Sequence, residues 1–199
     1  LSEATFRKYV QLGLLPRSVR VGRKGKHRGS QGLYPATAVR QIDHIRRLMQ
    51  QGFTMEEIQK EALAIAEKYE LEAAGDTSLL PGASETLKTL KQKGLKIGLF
   101  TLSGDKAVSY ILQRFKLGDF FGVIVPLNKV NYVKPNPEHL EMALKVLGVA
   151  PEETVVVGDG NVDMESAREL KTTAVGLPTG TSTIEQLTIH GANYIITSI

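Results

Sequence analysis

Two aspartates four residues apart, Asp159 and Asp163, close an apolar run in Thr154 to Met164, TVVVGDGNVDM. Three valines followed by Gly-Asp-Gly suit a strand buried on both faces of a parallel sheet and ended by a glycine turn. The carboxylates then lie at the carboxyl end of a strand, where open α/β sheets place ligands. Paired hard oxygens without a nearby His or Cys favour Mg²⁺ over zinc. Alone, the fragment reads equally as a tight turn. Two positions upstream add to it. KIGLFTLSG ends in Thr101, whose hydroxyl can bond a phosphate oxygen while the amides after it and the next helix N-terminus favour negative charge. Lys134, in VKPNP, sits in a Pro-bounded turn and offers a point positive charge to the same phosphate. Singly, a strand-end threonine is a cap and a Lys-Pro turn is surface. In this order, at successive strand ends, they describe a phosphoryl site with a metal end.

The elements that must position these groups follow an α/β rhythm. Strands are expected at 95–101, 122–126, 154–158, 173–177 and 193–197, and helices at 105–116, 137–147, 163–170 and 183–190. Alternation of this kind implies a parallel sheet with right-handed crossovers. Before it the pattern changes. Residues 2 to 12 suit a short helix capped by Ser2, with Phe6, Tyr9 and Val10 on one side and Arg7 and Lys8 on another. Residues 17 to 32, RSVRVGRKGKHRGSQG, cannot build a core; they make a disordered basic loop or a β-hairpin wing. Pro35 opens a helix with Val39, Ile42, Ile45, Leu48 and Met49 at helical spacing. Thr54 and Glu57 then form a capping box for a helix to about Ala74. Its stripe of Ile58, Ala62, Ile65 and Tyr69 packs on its own domain or pairs with a partner helix.

The charge balance divides at the same place. The chain carries a net +4, yet residues 1 to 50 hold 11 Lys and Arg against Glu3 and Asp43, a net +9, and the remainder holds 14 against 19, a net −5. Such asymmetry suggests two domains, the first with a polyanionic partner; a solvated basic face is the bland alternative. No cysteine is present, which excludes disulfides, thiolate metal sites and cysteine nucleophiles. No apolar run reaches membrane-spanning length, so a cytoplasmic protein with no membrane partner is expected. Leu1 is not an initiator methionine, and the sequence reads as a fragment.

Residues 81 to 199 resemble the haloacid dehalogenase-like hydrolase superfamily, especially its phosphoglycolate-phosphatase-like branch. PGASETLKTLKQKGLKIGLFT matches motif two with its preceding helix, VKPNPEHLEMAL motif three, and VVVGDGNVDMESAREL motif four. The resemblance implies that Thr101 binds the transferring phosphoryl group, that Lys134 steadies it, that Asp159 ligates Mg²⁺ and that Asp163 supports the metal's water shell. Leu102 stands where members commonly have Asn. The first motif, a strand ending in Asp-x-Asp-x-Thr that carries the nucleophile, does not occur; Asp76 lacks the apolar strand and second aspartate to replace it. That motif also belongs to the family's central strand. Without it the strands at Leu95 and Thr154 must pair with each other or leave a gap.

Residues 1 to 60 resemble the MerR-type winged helix-turn-helix. TFRKYVQLGLLP is similar to its recognition helix and turn, RVGRKGKHRGSQGLYP to its wing, and AVRQIDHIRRLMQQGFTMEEIQ to its following helix pair. The resemblance implies that Arg7, Lys8 and Tyr9 face double-stranded DNA, that Arg20, Arg23, Lys24, Lys26 and Arg28 contact phosphates, and that the protein is a homodimer. His27 reads as a solvated loop residue. The expected organisation is a truncated MerR-like DNA-binding domain at 1–54, a connecting helix and linker at 55–80, and a haloacid dehalogenase-like domain at 81–199. The fold class is α/β, a Rossmann-like parallel sheet preceded by a small, mostly helical winged helix-turn-helix. The expected function is a DNA-binding regulator whose α/β domain binds a phosphorylated small molecule with Mg²⁺. The alternative is a Mg²⁺-dependent phosphatase whose nucleophilic aspartate lies upstream of Leu1.

Overall fold

A computed structural model describes residues 2–12, 14–15, 19–21, 31–33, 37–180 and 182–199. The chain divides into two compact units, Leu1–Lys68 and Tyr69–Ile199.

In the first unit, α1 (Glu3–Gln11) starts where the Ser2 hydroxyl accepts the Thr5 amide at 3.1 Å. Of the segment 17–32, the described residues pair as β1 (Val19–Val21) antiparallel with β2 (Gln31–Leu33), as the wing alternative requires. The helix α2 (Thr37–Gln50) follows, and α3 (Met55–Asp76) begins at the expected capping box. There the Thr54 amide donates to Glu57 Oε2 at 2.8 Å and the Glu57 amide to Thr54 Oγ1 at 3.3 Å. Those bonds, the backbone one first, hold the Glu57 carboxyl below its ordinary value. Tyr9, Leu14, Leu15, Ala38, Ile45 and Ile58 form the core.

One expectation for this unit needs correction. Tyr9 is 2% exposed, and its hydroxyl points at the Met49 sulfur 3.5 Å away, so it packs the core and does not face DNA. Val39 is exposed because it lies about 100° around α2 from buried Ala38. Along α3, Ile58 is buried but Ala62, Ile65 and Tyr69 are exposed, so the apolar stripe is covered by its own unit only at its start.

The second unit contains α4 (Ala83–Gln92), β3 (Gly98–Phe100), α5 (Asp105–Arg114), β4 (Val123–Val125) and α6 (Glu138–Leu147). It continues with β5 (Val155–Gly158), α7 (Asn161–Glu169), β6 (Thr173–Gly176), α8 (Ile184–Ile189) and β7 (Tyr194–Ile195). All of its strand pairs are parallel, in the register Leu99 to Ile124, Val156 to Ala174 and Val175 to Tyr194. This is a Rossmann-like α/β arrangement, but it has two ladders, β3-β4 and β5-β6-β7. Among the described residues β3 and β5 do not pair, so of the two alternatives left by the sequence the gap is the one present.

Helix α6 holds the ladders together. It packs against β3 and β4, while its Leu140 and Leu144 join Val156, Met164, Ala167, Ala174 and Leu187 in the main core, with Phe100 of β3 against that cluster. A second cluster places Val108, Leu112 and Leu117 against Leu79, Leu99 and Ile124. The expectation that the valine run is buried on both faces is wrong. Val156 is 3% exposed, but Val155 and Val157 are 59% and 54% exposed, since only one face of β5 is covered. Met164→Ala, at a site with no exposure, is therefore expected to cost about 2–5 kcal/mol. Val157→Thr should cost under about 1 kcal/mol, as exposed sites usually do. Urea unfolding of both variants checks the contrast.

Candidate phosphoryl and metal site

The site forms where β3, the turn before α6, and the β5–α7 loop meet. Thr101 follows β3; its amide donates to Val125 O at 3.0 Å and its hydroxyl accepts the Ser103 amide at 3.1 Å. Lys134 precedes a cis peptide to Pro135, in a turn closed by Asn136 N to Val133 O at 3.1 Å. Its ammonium lies 2.5 Å from Asp163 Oδ1, 3.4 Å from the Phe100 carbonyl and 4.7 Å from the centre of the Phe100 ring. Lys134 and Asp163 are only 11% and 7% exposed at the side chain. Lys134, the end of β3 and Asp163 are thus brought together as the sequence suggested.

Glycine makes the loop possible. A β-carbon on Gly158 would meet the Asp163 side chain at 2.4–2.6 Å, so Asp163 folds back over Gly158 only because nothing projects there. Its other oxygen accepts the Gly160 amide at 3.0 Å, closing the first turn of α7. Asp159 is exposed, and its carboxylate packs against the Gly180 α-carbon, where a side chain would collide with it.

The oxygens suited to a hard cation are therefore unequal. Both oxygens of Asp163 are engaged, whereas Asp159 faces solvent. Two residues on, Asn161 Oδ1 is buried without a hydrogen-bond partner. An orphaned buried oxygen beside an exposed carboxylate fits a Mg²⁺ that keeps most of its water. Among the described residues no cluster of three or more His, Asp or Glu forms a complete protein cage.

Sequence reasoning missed His139, which is fully buried. Its Nδ1 accepts the Lys134 amide at 3.4 Å, its Nε2 lies 2.9 Å from Val125 O, and its ring meets Phe100 edge-on at 5.6 Å. The neutral tautomer with the proton on Nε2 satisfies both bonds. Its position in VKPNPEH, five residues after Lys134, was the available signal. Burial pushes its pKa below the ordinary 6.5, the Val125 carbonyl opposing and Lys134 reinforcing the shift, with Asp163 and Glu138 opposing.

On the first unit, Arg7 is exposed and paired with Glu3 at 2.5 Å, and Lys8 is exposed. Arg20 lies in β1. Arg23, Lys24, Lys26 and Arg28, like His27, lie outside the described residues.

The fold is the Rossmann-like α/β core of the haloacid dehalogenase-like type. The chain belongs to the haloacid dehalogenase-like hydrolase family, whose profile matches residues 35–177. Residues 1–64 also match the MerR HTH family regulatory protein profile, so α2 and the first part of α3 are shared between the two matches. A hydrolase from Pseudomonas syringae superposes with a TM-score of 0.65 at 32% identity, over 77% of this chain and 71% of its own. Phosphoglycolate phosphatase of Pseudomonas putida is 28% identical over 90% of this chain and 64% of its own length. Pyrophosphatase PpaX of Halalkalibacterium halodurans is 42% identical over 48% of this chain and 45% of its own. The chain spans under half the length of that relative and about two thirds of the phosphatase. No helix among the described residues is long and apolar enough to cross a membrane.

Because folded His139 binds its proton less readily than the unfolded chain, its contribution to stability is complete above pH 6.5 and is lost as pH falls below it. The urea midpoint of the wild type should fall between pH 7.5 and 5.5. His139→Phe, which keeps the ring but cannot titrate, should show a smaller fall; an equal fall would remove His139 as its source.

Proposed function

We propose that this protein is a DNA-binding regulator of MerR type whose α/β unit binds a phosphorylated small molecule together with Mg²⁺. The observation carrying the ligand half is Lys134, a nearly buried ammonium at the strand ends between the β3 terminus and Asp163. Thr101 and Lys134 would contact the phosphoryl oxygens. Asp159, with Asn161, would hold the cation, and Asp163 would orient Lys134. Mg²⁺ would supply charge to draw a dianion into an acidic loop. The sequence 1–199 contains no Asp-x-Asp-x-Thr, so these residues bind and orient a phosphoester without an attacking carboxylate among them.

The DNA half is supported by the net +9 of residues 1 to 50, by the β1–β2 hairpin and by the match of residues 1–64. The reading divides the chain into a DNA-binding domain at 1–54, a connecting helix and linker at 55–80, and the ligand domain at 81–199, and it operates as a homodimer in the cytoplasm. Exposed Arg7 and Lys8 would face the duplex, and the five wing residues Arg20, Arg23, Lys24, Lys26 and Arg28 would contact phosphates. Five phosphate contacts imply a salt slope of about −4 to −5. Phosphate contacts set position rather than sequence choice.

A second reading, a Mg²⁺-dependent phosphatase, is favoured by one observation. Among the described residues β3 and β5 do not pair with each other, as they would not if a strand carrying a nucleophile from outside residues 1–199 lay between them. It predicts phosphoester turnover that disappears in Asp159→Asn and Lys134→Ala.

Fluorescence anisotropy with labelled duplex DNA tests the regulator. Charge reversal at Arg23 and Lys24 should weaken binding at least about tenfold at low salt, two contacts being lost. A panel of phosphoesters with Mg²⁺ should change wild-type affinity, by about 5-fold or more if the sites are coupled. Undiminished binding by the reversed variant would dismiss the wing. Identical affinity with every phosphoester would dismiss ligand control.

A further inference from the structure

We propose that Glu70, near the end of α3, is an internal anion that occupies the phosphoryl loop Thr101–Asp105, so that a phosphorylated ligand binds there by displacing it. This deepens the phosphoryl-binding reading above, and rests on it, by assigning its regulation. The sequence suggests that the amides after Thr101 face a phosphate. In the structure three consecutive amides are already taken. Ser103 N donates to Thr101 Oγ1 at 3.1 Å, Gly104 N to Glu70 Oε2 at 2.8 Å, and Asp105 N to Asn128 Oδ1 at 3.2 Å. Two of these acceptors are neutral; only Glu70 brings a charge.

Gly104 is the N-cap of α5, and amides at a helix start draw anions whatever their source. A carboxylate there answers the same field that a phosphate oxygen would. The backbone of Gly104, φ −72 and ψ 160, is open to any residue, so conformation does not call for glycine. A β-carbon would stand 3.1 Å from the same Glu70 oxygen, a tight contact that the carboxylate would relieve by a shift of a few tenths of an ångström.

The far end of α5 holds the same stretch of chain. Arg114 Nη1 donates to the carbonyls of Ala74 at 2.9 Å, Gly75 at 2.6 Å and Thr77 at 3.0 Å, capping the C-terminus of α3. Ala74 is buried, and Leu79 packs on the Val108 and Leu112 cluster. The segment from Glu70 to Leu79 is thus fastened to α5 through Glu70, through Arg114 and through Leu79, and of these the Glu70 fastening is the one that competes with a phosphate. A dianion entering beside Thr101 repels the carboxylate and takes its amide, while the Arg114 clamp keeps the rest docked. Ligand binding is thereby converted into release of the turn of α3 around Glu70.

The test uses the isotopically labelled full chain with inorganic phosphate and Mg²⁺, in wild type, Glu70→Gln and Glu70→Ala, each measured with and without Thr101→Ala. Removing the repulsion should tighten phosphate binding about three- to tenfold in both Glu70 variants. In the wild type, phosphate should shift the Gly104 amide resonance and speed hydrogen exchange at residues 70–73. Thr101→Ala should weaken binding in every background. Equal or weaker binding in the Glu70 variants, with the Thr101 effect intact, would overturn the displacement and leave the phosphoryl reading standing. Failure of phosphate to bind any of the proteins would overturn both.

Discussion

The Lys134–Asp163 pair is the constraint to which the α/β unit answers. Two nearly buried opposite charges 2.5 Å apart cost desolvation that only close contact and further bonds offset. The surroundings supply those bonds: the Phe100 carbonyl and ring for the ammonium, and the Gly160 amide for the carboxylate. Truncating either partner would strand a buried charge, typically at about 3–5 kcal/mol. The pair therefore fixes how the end of β3, the turn before α6 and the β5–α7 loop sit together. Gly158 and His139 serve it from either side, one by leaving space and one by gripping the Lys134 backbone.

That grip matters more because the sheet is divided. Ladder hydrogen bonds ordinarily align neighbouring strand ends, but none run between β3 and β5 among the described residues. Alignment across the gap comes instead from α6 packed beneath both ladders, and from Lys134 joining their carboxyl ends. The phosphoryl end of the site is consequently made of groups that already have partners. Asp163 is held by Lys134, and the Gly104 amide by Glu70. A phosphorylated ligand and its cation would enter by exchange of partners, not by filling an empty cradle, so binding is coupled to rearrangement.

Much of this was legible before the fold was known, because it is written in short-range chemistry. Alternation of strands and helices, the Thr54–Glu57 capping box, and the order Thr101, Lys134, Asp159 and Asp163 depend on neighbours within a few residues. What failed depended on what lies opposite. Val155 and Val157 read as doubly buried, since hydropathy reports the side chain and not whether a second layer exists. Tyr9 shares its helix with Arg7 and Lys8, but it lies with Phe6 and Val10 on the side that packs into the core, so the family resemblance misled where the helical spacing did not. The stripe through Ile65 and Tyr69 has helical spacing whether or not anything covers it. Glu70 was invisible because its partner is a backbone amide 34 residues away.

The measurement that bears most directly on the account is calorimetric titration of the full chain with inorganic phosphate in the presence and absence of Mg²⁺. If Asp159 and Asn161 hold the cation while Lys134 turns from Asp163 to the anion, each ligand should tighten the other by the same factor, as linkage requires. Lys134→Ala should then lose the phosphate isotherm. Phosphate binding that is indifferent to Mg²⁺ and unaltered by loss of Lys134 would contradict the account at its centre.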